Sequence, residues 1–448
     1  MKKIVRFGLS ALLAAGLTAG FMSCNKDNGN NGSGSGSSSS SSTSSSKTDP
    51  NAAVTLNVWC WDPGFNIYAM NEAAKIYNRE KPNVKINIVE TPWDDLQQKL
   101  IASLSANDTS SLPDIILMQD NAILKNVSNY PNAFVPLNGK IDLSQFAQFK
   151  VAFGEVNGKN YSVPFDNGVT ATFLRTDIIK DAGLTVDDFK DITWDRFHEL
   201  GKIVKQKTGK YMISFVGNDP DFVMVALQSA GTWFFDENGK VNIAKNPALL
   251  EGLKIYADMV ADGTCLAVPD WNAFVASVNN GQVASSIDGS WMVGIISAQA
   301  DQAGKWGLTT TPRLTVPGAK NSSSQGGSSW MIMSNSKYQD VAADFLNKTF
   351  AGSKELYETI LPSSGAIATW LPAANSPAYE NGNDFFGGQK IYKDLVNYSN
   401  DIPRVKYGMY NYEARSEVGV AVADILKGSS VADALAKAEK NVQFIMGE

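Results

Sequence analysis

The chain has 448 residues, a formal net charge of -6, one histidine and ten tryptophans. An acidic chain without a basic patch has no means of displacing counterions from phosphate, which excludes a nucleic-acid partner. A lone imidazole, His198, leaves any Ser-His-Asp, Cys-His or His-rich metal arrangement dependent on that one residue.

Lys2, Lys3 and Arg6 precede an apolar run from Phe7 to Met22, and Ser23-Cys24 sets a small residue before a thiol. That order is the logic of a cleaved secretory signal over residues 1-23. The competing reading is a transmembrane anchor, but the run falls short of the ~20 residues needed to cross a bilayer and is broken by glycines. The segment resembles a bacterial lipoprotein signal, with Phe21 where the commonest pattern has Leu; the resemblance implies a lipid on Cys24. Residues 24-53 are mostly Asn, Gly, Ser, Thr and Lys. They bury too little to offset the entropy of ordering, and read as a disordered tether with a reach of roughly 30 Å. The ~400 residues beyond are too many for one ordinary core and suit two lobes.

Val54 to Trp61 is a β-rich apolar run ended by Asp62-Pro63-Gly64. Ile67, Met70, Ala74 and Tyr77 recur at helical spacing before Pro82, and Val84, Ile86 and Ile88 alternate as a second strand. Thr91-Pro92-Trp93-Asp94 supplies an N-cap hydroxyl, a Pro at N1 and an acid at N3 for a helix lined by Leu96, Leu100 and Leu104. Pro113 to Met118 makes a third strand. Strand and helix alternating in this way predict a parallel sheet with crossover helices, hence an α/β fold.

Asn157-Gly158 predicts a tight hairpin, and Pro164 to Gly168 followed by β-formers to Leu174 reads as a crossing between lobes. Helices are expected at Trp194 to Lys207, Asp221 to Ala230, Pro247 to Ala261 and Trp271 to Asn280, with Asp236 to Gly239 as a turn. His198 falls within the first of these, in an amphipathic stretch that reads as an ordinary helix position. A strand at Val283 to Ile287 ends in Asp288-Gly289-Ser290-Trp291, at the sheet edge where α/β folds hold their ligands. Gly326-Gly327, the run Trp330 to Met333 and a helix from Gln339 to Phe350 read as a return to the first lobe. Two late helices follow, Glu413 to Leu426 and one from Val431.

In this order the residues resemble a bacterial extracellular solute-binding protein, of the sugar-binding class of ABC importers that includes maltose-binding protein. The pieces that carry the likeness are Leu56 to Pro82, Pro113-Asp114-Ile-Ile, Val156 to Pro164, Thr193 to Phe197, Phe274 to Trp291 and Gly428 to Leu435. Leu174 to Asp177 departs from it, since such proteins often carry Tyr-Asn there. The resemblance implies a two-lobed periplasmic-binding-protein fold of type II, each lobe a mostly parallel sheet flanked by helices, with a ligand cleft between. Residues 54-165 plus 329-400 are expected in one lobe and 166-328 plus 401-448 in the other. It further implies a monomer, anchored to a membrane by its lipid, that captures a sugar outside the cytoplasm without catalysis and delivers it to permease subunits.

Flat C–H faces and a rim of hydroxyls suit aromatic plates with carboxylates and amides around them. Candidate ligand contacts, from that chemistry and, for Trp61, Asp62, Trp291 and the late-helix tyrosines, from where the resemblance implies that ligand is touched, are Trp61 and Asp62 at the end of the first strand, Asp120 after the third, and Asp166 and Asn167 at the crossing. In the second lobe they are Asp219, Asp221, Trp233, Trp271, Asp288 and Trp291, joined by Trp330 at the second crossing and by Tyr410 and Tyr412 before the late helix. Several have a plainer alternative: Trp61, Trp233 and Trp291 as core, Trp330 as a hinge-packing residue, Asp120 as a helix N-cap, Asp166-Asn167 as a turn. Cys60 and Cys265 are open to two readings, a disulfide or buried free thiols. No cofactor is expected, and the acidic turns lack the spacing of a calcium loop. The rival functions are a secreted glycoside hydrolase, a binding protein for a polyol, peptide or phosphorylated solute, and a surface adhesin.

Overall fold

A computed structural model describes residues 52-448 of the protein. The signal over 1-23, the lipidation position Cys24 and nearly all of the tether lie outside the described residues. Among the described residues no helix is long and apolar enough to cross a membrane.

The strands are β1 (Val54–Cys60), β2 (Val84–Glu90), β3 (Ile115–Gln119), β4 (Glu155–Val156), β5 (Lys159–Asn160), β6 (Val163–Asp166), β7 (Thr170–Arg175), β8 (Ile213–Val216), β9 (Cys265–Val268), β10 (Ser285–Gly289), β11 (Trp306–Thr309) and β12 (Ser328–Ile332). A five-stranded sheet runs β2-β1-β3-β12-β6. In it β1 is parallel to β2 and β3, while β12 is antiparallel to β3 and β6. In the second lobe β7 lies antiparallel between β10 and β11, β8 and β9 pair in parallel, and a parallel bridge from Tyr211 to Val283 joins the two groups. In each lobe the strand that opposes its neighbours is the one that has just arrived from the other lobe. The chain leaves β6 and enters β7, then leaves β11 and enters β12, so two crossings lie side by side at the foot of a cleft.

Alternation along the strands gives the first sheet two buried faces. Leu56, Val58, Ile115, Leu117 and Trp330 enter one core; Trp59, Ile116, Met118 and Met331 enter another. The larger core continues onto Phe173, Trp306 and Leu308 of the second sheet. A separate core holds Trp194, Phe222, Leu253 and Tyr256, closed over by Val418, Val422 and Leu435 of the late helices. Burying a large apolar side chain of this kind contributes roughly 1.5–3 kcal/mol, so the late helix Asn411–Leu426 is anchored firmly to the second lobe.

The helices run at Asn66–Asn78, Trp93–Ser105, Trp194–Thr208, Asp221–Ser229, Pro247–Ala261 and Trp271–Asn279, close to the expected spans. The hairpin turn is present, with Asn157 at φ 52° and Gly158 at φ 73°. Two caps differ from expectation. Pro92 takes the N-cap place before Trp93, and the Thr91 hydroxyl donates to the Val89 carbonyl instead. Asp120 is the first residue of helix Asp120–Asn129, after Gln119 as cap, and its carboxylate is engaged elsewhere. Strands β8, β9 and β11, of four residues each, are too short to show alternation, and helix Lys354–Ser364 is masked in the sequence by Pro362.

His198 sits on helix Trp194–Thr208 as anticipated, its Nε2 at 2.6 Å from Asp262. Cys60 and Cys265 are free, and each is buried in a different core, which decides between the two readings in favour of free thiols.

Candidate functional site

At the foot of the cleft the two crossings are stitched by a buried polar network. Asp166, ending β6, accepts from the backbone N–H and the hydroxyl of Ser328 at 2.9 and 2.7 Å. Asp120 accepts from the Ser329 hydroxyl at 2.7 Å and forms an ion pair with Lys150, both side chains about 1% exposed. Burial pulls the Lys150 ammonium down to about 8, with Asp166 opposing, and burial pushes Asp166 above the ordinary carboxylate range. Gly327 is required here. Its φ is +92°, and a Cβ would lie 2.6 Å from Lys150 Nζ and 2.7 Å from Asp120 Oδ2. Asn167 is buried and uses Oδ1 to accept from the Val169 N–H, so it shapes the first crossing as a turn. The structure thus gives Asp120, Asp166 and Asn167 internal partners.

Above this floor, the second lobe brings carboxylates and indoles together. Arg415, one turn into helix Asn411–Leu426, reaches Asp219 at 2.8 and 3.0 Å and Asp221 at 3.1 Å, all through Nη2. Asp219 Oδ1 also accepts from the Asp221 N–H at 3.1 Å. Burial, then the neighbouring Asp219, pushes Asp221 up to about 7, while Arg415 and Gln325 act against the rise. Asp288, the penultimate residue of β10, is 4% exposed and accepts from the Gly289 N–H. Burial and the charges of Asp221 and Asp219 push its carboxyl well above the usual range.

Trp291 lies over Gly289, where any side chain would run into the indole nitrogen, and Gly326 of the second crossing lies beside it. Its ring centroid is 5.5 Å from that of Trp271, which is 47% exposed. Gln325, in the same crossing, has a buried Oε1 with no hydrogen-bond partner. A pair of indoles, a protonatable carboxyl and an unfilled acceptor therefore converge at one edge of the cleft.

The first lobe contributes a second aromatic group. Trp61 is half-buried with its ring 5.2 Å from Trp93, and Trp93 is 6.5 Å from Tyr412 of the second lobe. Tyr412 reaches across to Gln119 and Asn121, and Glu413 beside it forms an ion pair with Lys125. Asp62 is exposed, and its Oδ1 accepts from the N–H groups of Gly64 and Phe65, which closes the turn after β1. A cavity of about 560 Å³ opens beside Tyr412 and Arg415, lined also by Asn218, Asp219 and Pro220.

Three expected contacts fall elsewhere. Trp330 is fully buried between Phe165 and Phe350, because its place on β12 points it into the larger core. Trp233 is 3% exposed, packs on Tyr407 and donates from Nε1 to Asn411 Oδ1 at 2.7 Å, which fixes the start of the late helix. Tyr410 packs against the second core. The residues missed by the sequence are Trp93, Gln119, Asn121, Lys150, Gln325 and Arg415. Trp93 was assigned a capping neighbourhood and Gln119 directly follows a strand, so both carried a positional signal. Lys150 and Arg415 carried none, since their partners are 30 and about 195 residues away. Among the described residues no cluster of His, Cys, Asp and Glu is arranged to hold a metal ion.

Comparison with known proteins gives a consistent result. A sequence model for the family described as bacterial extracellular solute-binding protein matches residues 72–387. The lactose-binding protein of Rhizobium radiobacter is 38% identical over 380 residues, covering 85% of this chain and 90% of its own. The arabinooligosaccharide-binding protein of Halalkalibacterium halodurans is 26% identical over 422 residues, covering 89% and 91%. The solved structure of the GacH receptor of Streptomyces glaucescens superposes with a TM-score of 0.75 at 18% identity, over 88% of this chain and 99% of its own, and shares the fold.

Proposed function

The chain belongs to the bacterial extracellular solute-binding protein family, and from that premise we propose that it captures a neutral oligosaccharide between its lobes and passes it to an ABC-type permease. The observation that carries this is the Trp271–Trp291 pair, set beside Asp288 and the unfilled Gln325 acceptor. Indole faces cover the C–H surfaces of a sugar ring, while a carboxyl and an amide oxygen take its hydroxyls. Enclosure then strengthens each of those hydrogen bonds by excluding water. The names of the relatives, lactose-binding and arabinooligosaccharide-binding, favour a disaccharide or longer chain. Lys125, Lys150 and Arg415 at this cleft already have carboxylate partners, which disfavours an anionic ligand.

In this reading residues 54-165 plus 329-400 and residues 166-328 plus 401-448 form the lobes, hinged at the crossings. The protein is exported, in keeping with its family; Cys24 carries the lipid and residues 24-53 tether a monomeric, non-catalytic body near the membrane. Thermal-shift screening against lactose and arabinooligosaccharides, followed by titration calorimetry, tests the binding step. A sugar at a hundred times its Kd adds ~2.7 kcal/mol of stability. No shift with any neutral sugar, or the release of new reducing ends during incubation, would count against it.

A further inference from the structure

Resting on the sugar-binding reading, we propose that Arg415 is a positioning residue for ligand capture: it holds Asp219 and Asp221 in place at the cleft edge and couples them to lobe closure. The argument begins with charge. Asp219, Asp221 and Asp288 stand close enough to influence one another, and among the described residues Arg415 is the cation paired with Asp219 and Asp221. Two carboxylates sharing one guanidinium repel one another unless the guanidinium is well placed. Its contacts to both Asp219 and Asp221 run through Nη2 alone, so Nε and Nη1 keep their N–H groups for other acceptors. The side chain is about 30% exposed and borders the cavity beside Tyr412.

The second link is the helix itself. Arg415 lies within one turn of Tyr412 and Glu413, which bind Gln119, Asn121 and Lys125 of the first lobe. Closure of the lobes therefore seats the same helical turn that carries the guanidinium. Residues facing the carboxylates from other elements are Gln325 on the second crossing and Tyr256 on helix Pro247–Ala261, while Tyr412, on the helix of Arg415, faces the guanidinium. A group that merely filled space here would not make the ionisation of Asp221 depend on it.

The test uses Arg415→Met and Arg415→Lys in the full exported chain. Lactose titrations at pH 8 and pH 5.5 are expected to show at least a tenfold loss for the methionine variant at pH 8 and a smaller loss at pH 5.5, where Asp221 takes up a proton and needs no cation. The lysine variant recovers part of the loss. In parallel, carboxyl carbon NMR of the ligand-free protein follows the Asp221 midpoint, which is expected to move upward in Arg415→Met and less in Arg415→Lys. An equal loss at both pH values, or an unmoved Asp221 midpoint, overturns the positioning role. If wild-type protein ignores lactose, the choice of ligand fails, and the ligand-free titration still decides the role of Arg415. Should Arg415→Met not fold, the lysine variant carries both measurements.

Discussion

The Tyr412 hydroxyl lies 2.8 Å from Oε1 of Gln119, joining a helix rooted in the second core to the carboxyl end of β3. It lies equally close, 2.8 Å, to Oδ1 of Asn121. One phenolic proton serves one acceptor, so one of the two amides turns its NH2 toward the oxygen. This bond joins the two lobes. Tyr412→Phe keeps the ring beside Trp93 and removes only the hydroxyl. A net contribution of about 0.5–1.5 kcal/mol for such a bond predicts a more open ligand-free protein, visible as a larger radius of gyration in small-angle scattering, and a several-fold weaker sugar. An unchanged radius would show that the contact does not hold the lobes together.

Trp291 is expected to dominate the sugar contact because it stands between the β10 edge and the second crossing, with Trp271 as its outer neighbour. Trp291→Ala should cost more than tenfold in affinity with the circular dichroism spectrum unchanged. Trp271→Ala should cost less, since that indole is about half exposed and gains less from enclosure. Equal affinities in calorimetry would remove the indole pair from the site.

Lys150 holds the foot of the cleft. Replacing it with Met leaves Asp120 buried without its ion-pair partner and Asp166 without a nearby positive charge. Breaking one side of a buried pair costs about 3–5 kcal/mol, which urea denaturation would read as a lower midpoint. Asp120→Asn, which keeps an acceptor for Ser329, is expected to cost less than the lysine change. Two variants of wild-type stability would mean that the network contributes little.

Asp288 sets a pH dependence with a defined sign. Its folded-state affinity for a proton exceeds that of the unfolded chain, chiefly through burial and then through Asp221 and Asp219. Stability from such a group is complete below the ordinary carboxylate range near pH 4 and is lost as pH rises toward the folded value. Asp288→Asn lacks that loss. Its melting temperature relative to wild type should therefore increase from pH 4 to pH 8, and parallel curves across that range would contradict the buried-carboxyl assignment.

Cys60 and Cys265 are buried in different cores, and burial pushes the Cys60 thiol up to about 12. A thiol held protonated does not attack a disulfide reagent. In a Cys24→Ser chain, DTNB should stay colourless until denaturant is added, then report two thiols. Immediate reaction would place one of them near the surface.

Much of the fold was legible because its signals are local. Alternation at Val84 to Ile88, the helical spacing of Leu96 and Leu100, and the Asn157-Gly158 turn each depend on residues that touch near neighbours in the chain. The same holds for the aromatic and acidic residues around Asp288 and Trp291, which a strand end places at a sheet edge. What these signals cannot carry is pairing between distant segments. Trp330 read as either a hinge-packing residue or a platform and is buried in the core, because the phase of β12 is set by β3 and β6.

By itself, then, the sequence determined the alternating architecture, the two crossings, the acidic character and the family. The tertiary structure alone decided which partner each acid takes: Asp120 found Lys150, Asp219 and Asp221 found Arg415, and Asp288 was left with its own backbone. The reason is electrostatic. A carboxylate's behaviour depends on burial and on charges within a few ångströms, and those neighbours come from parts of the chain that only folding brings together.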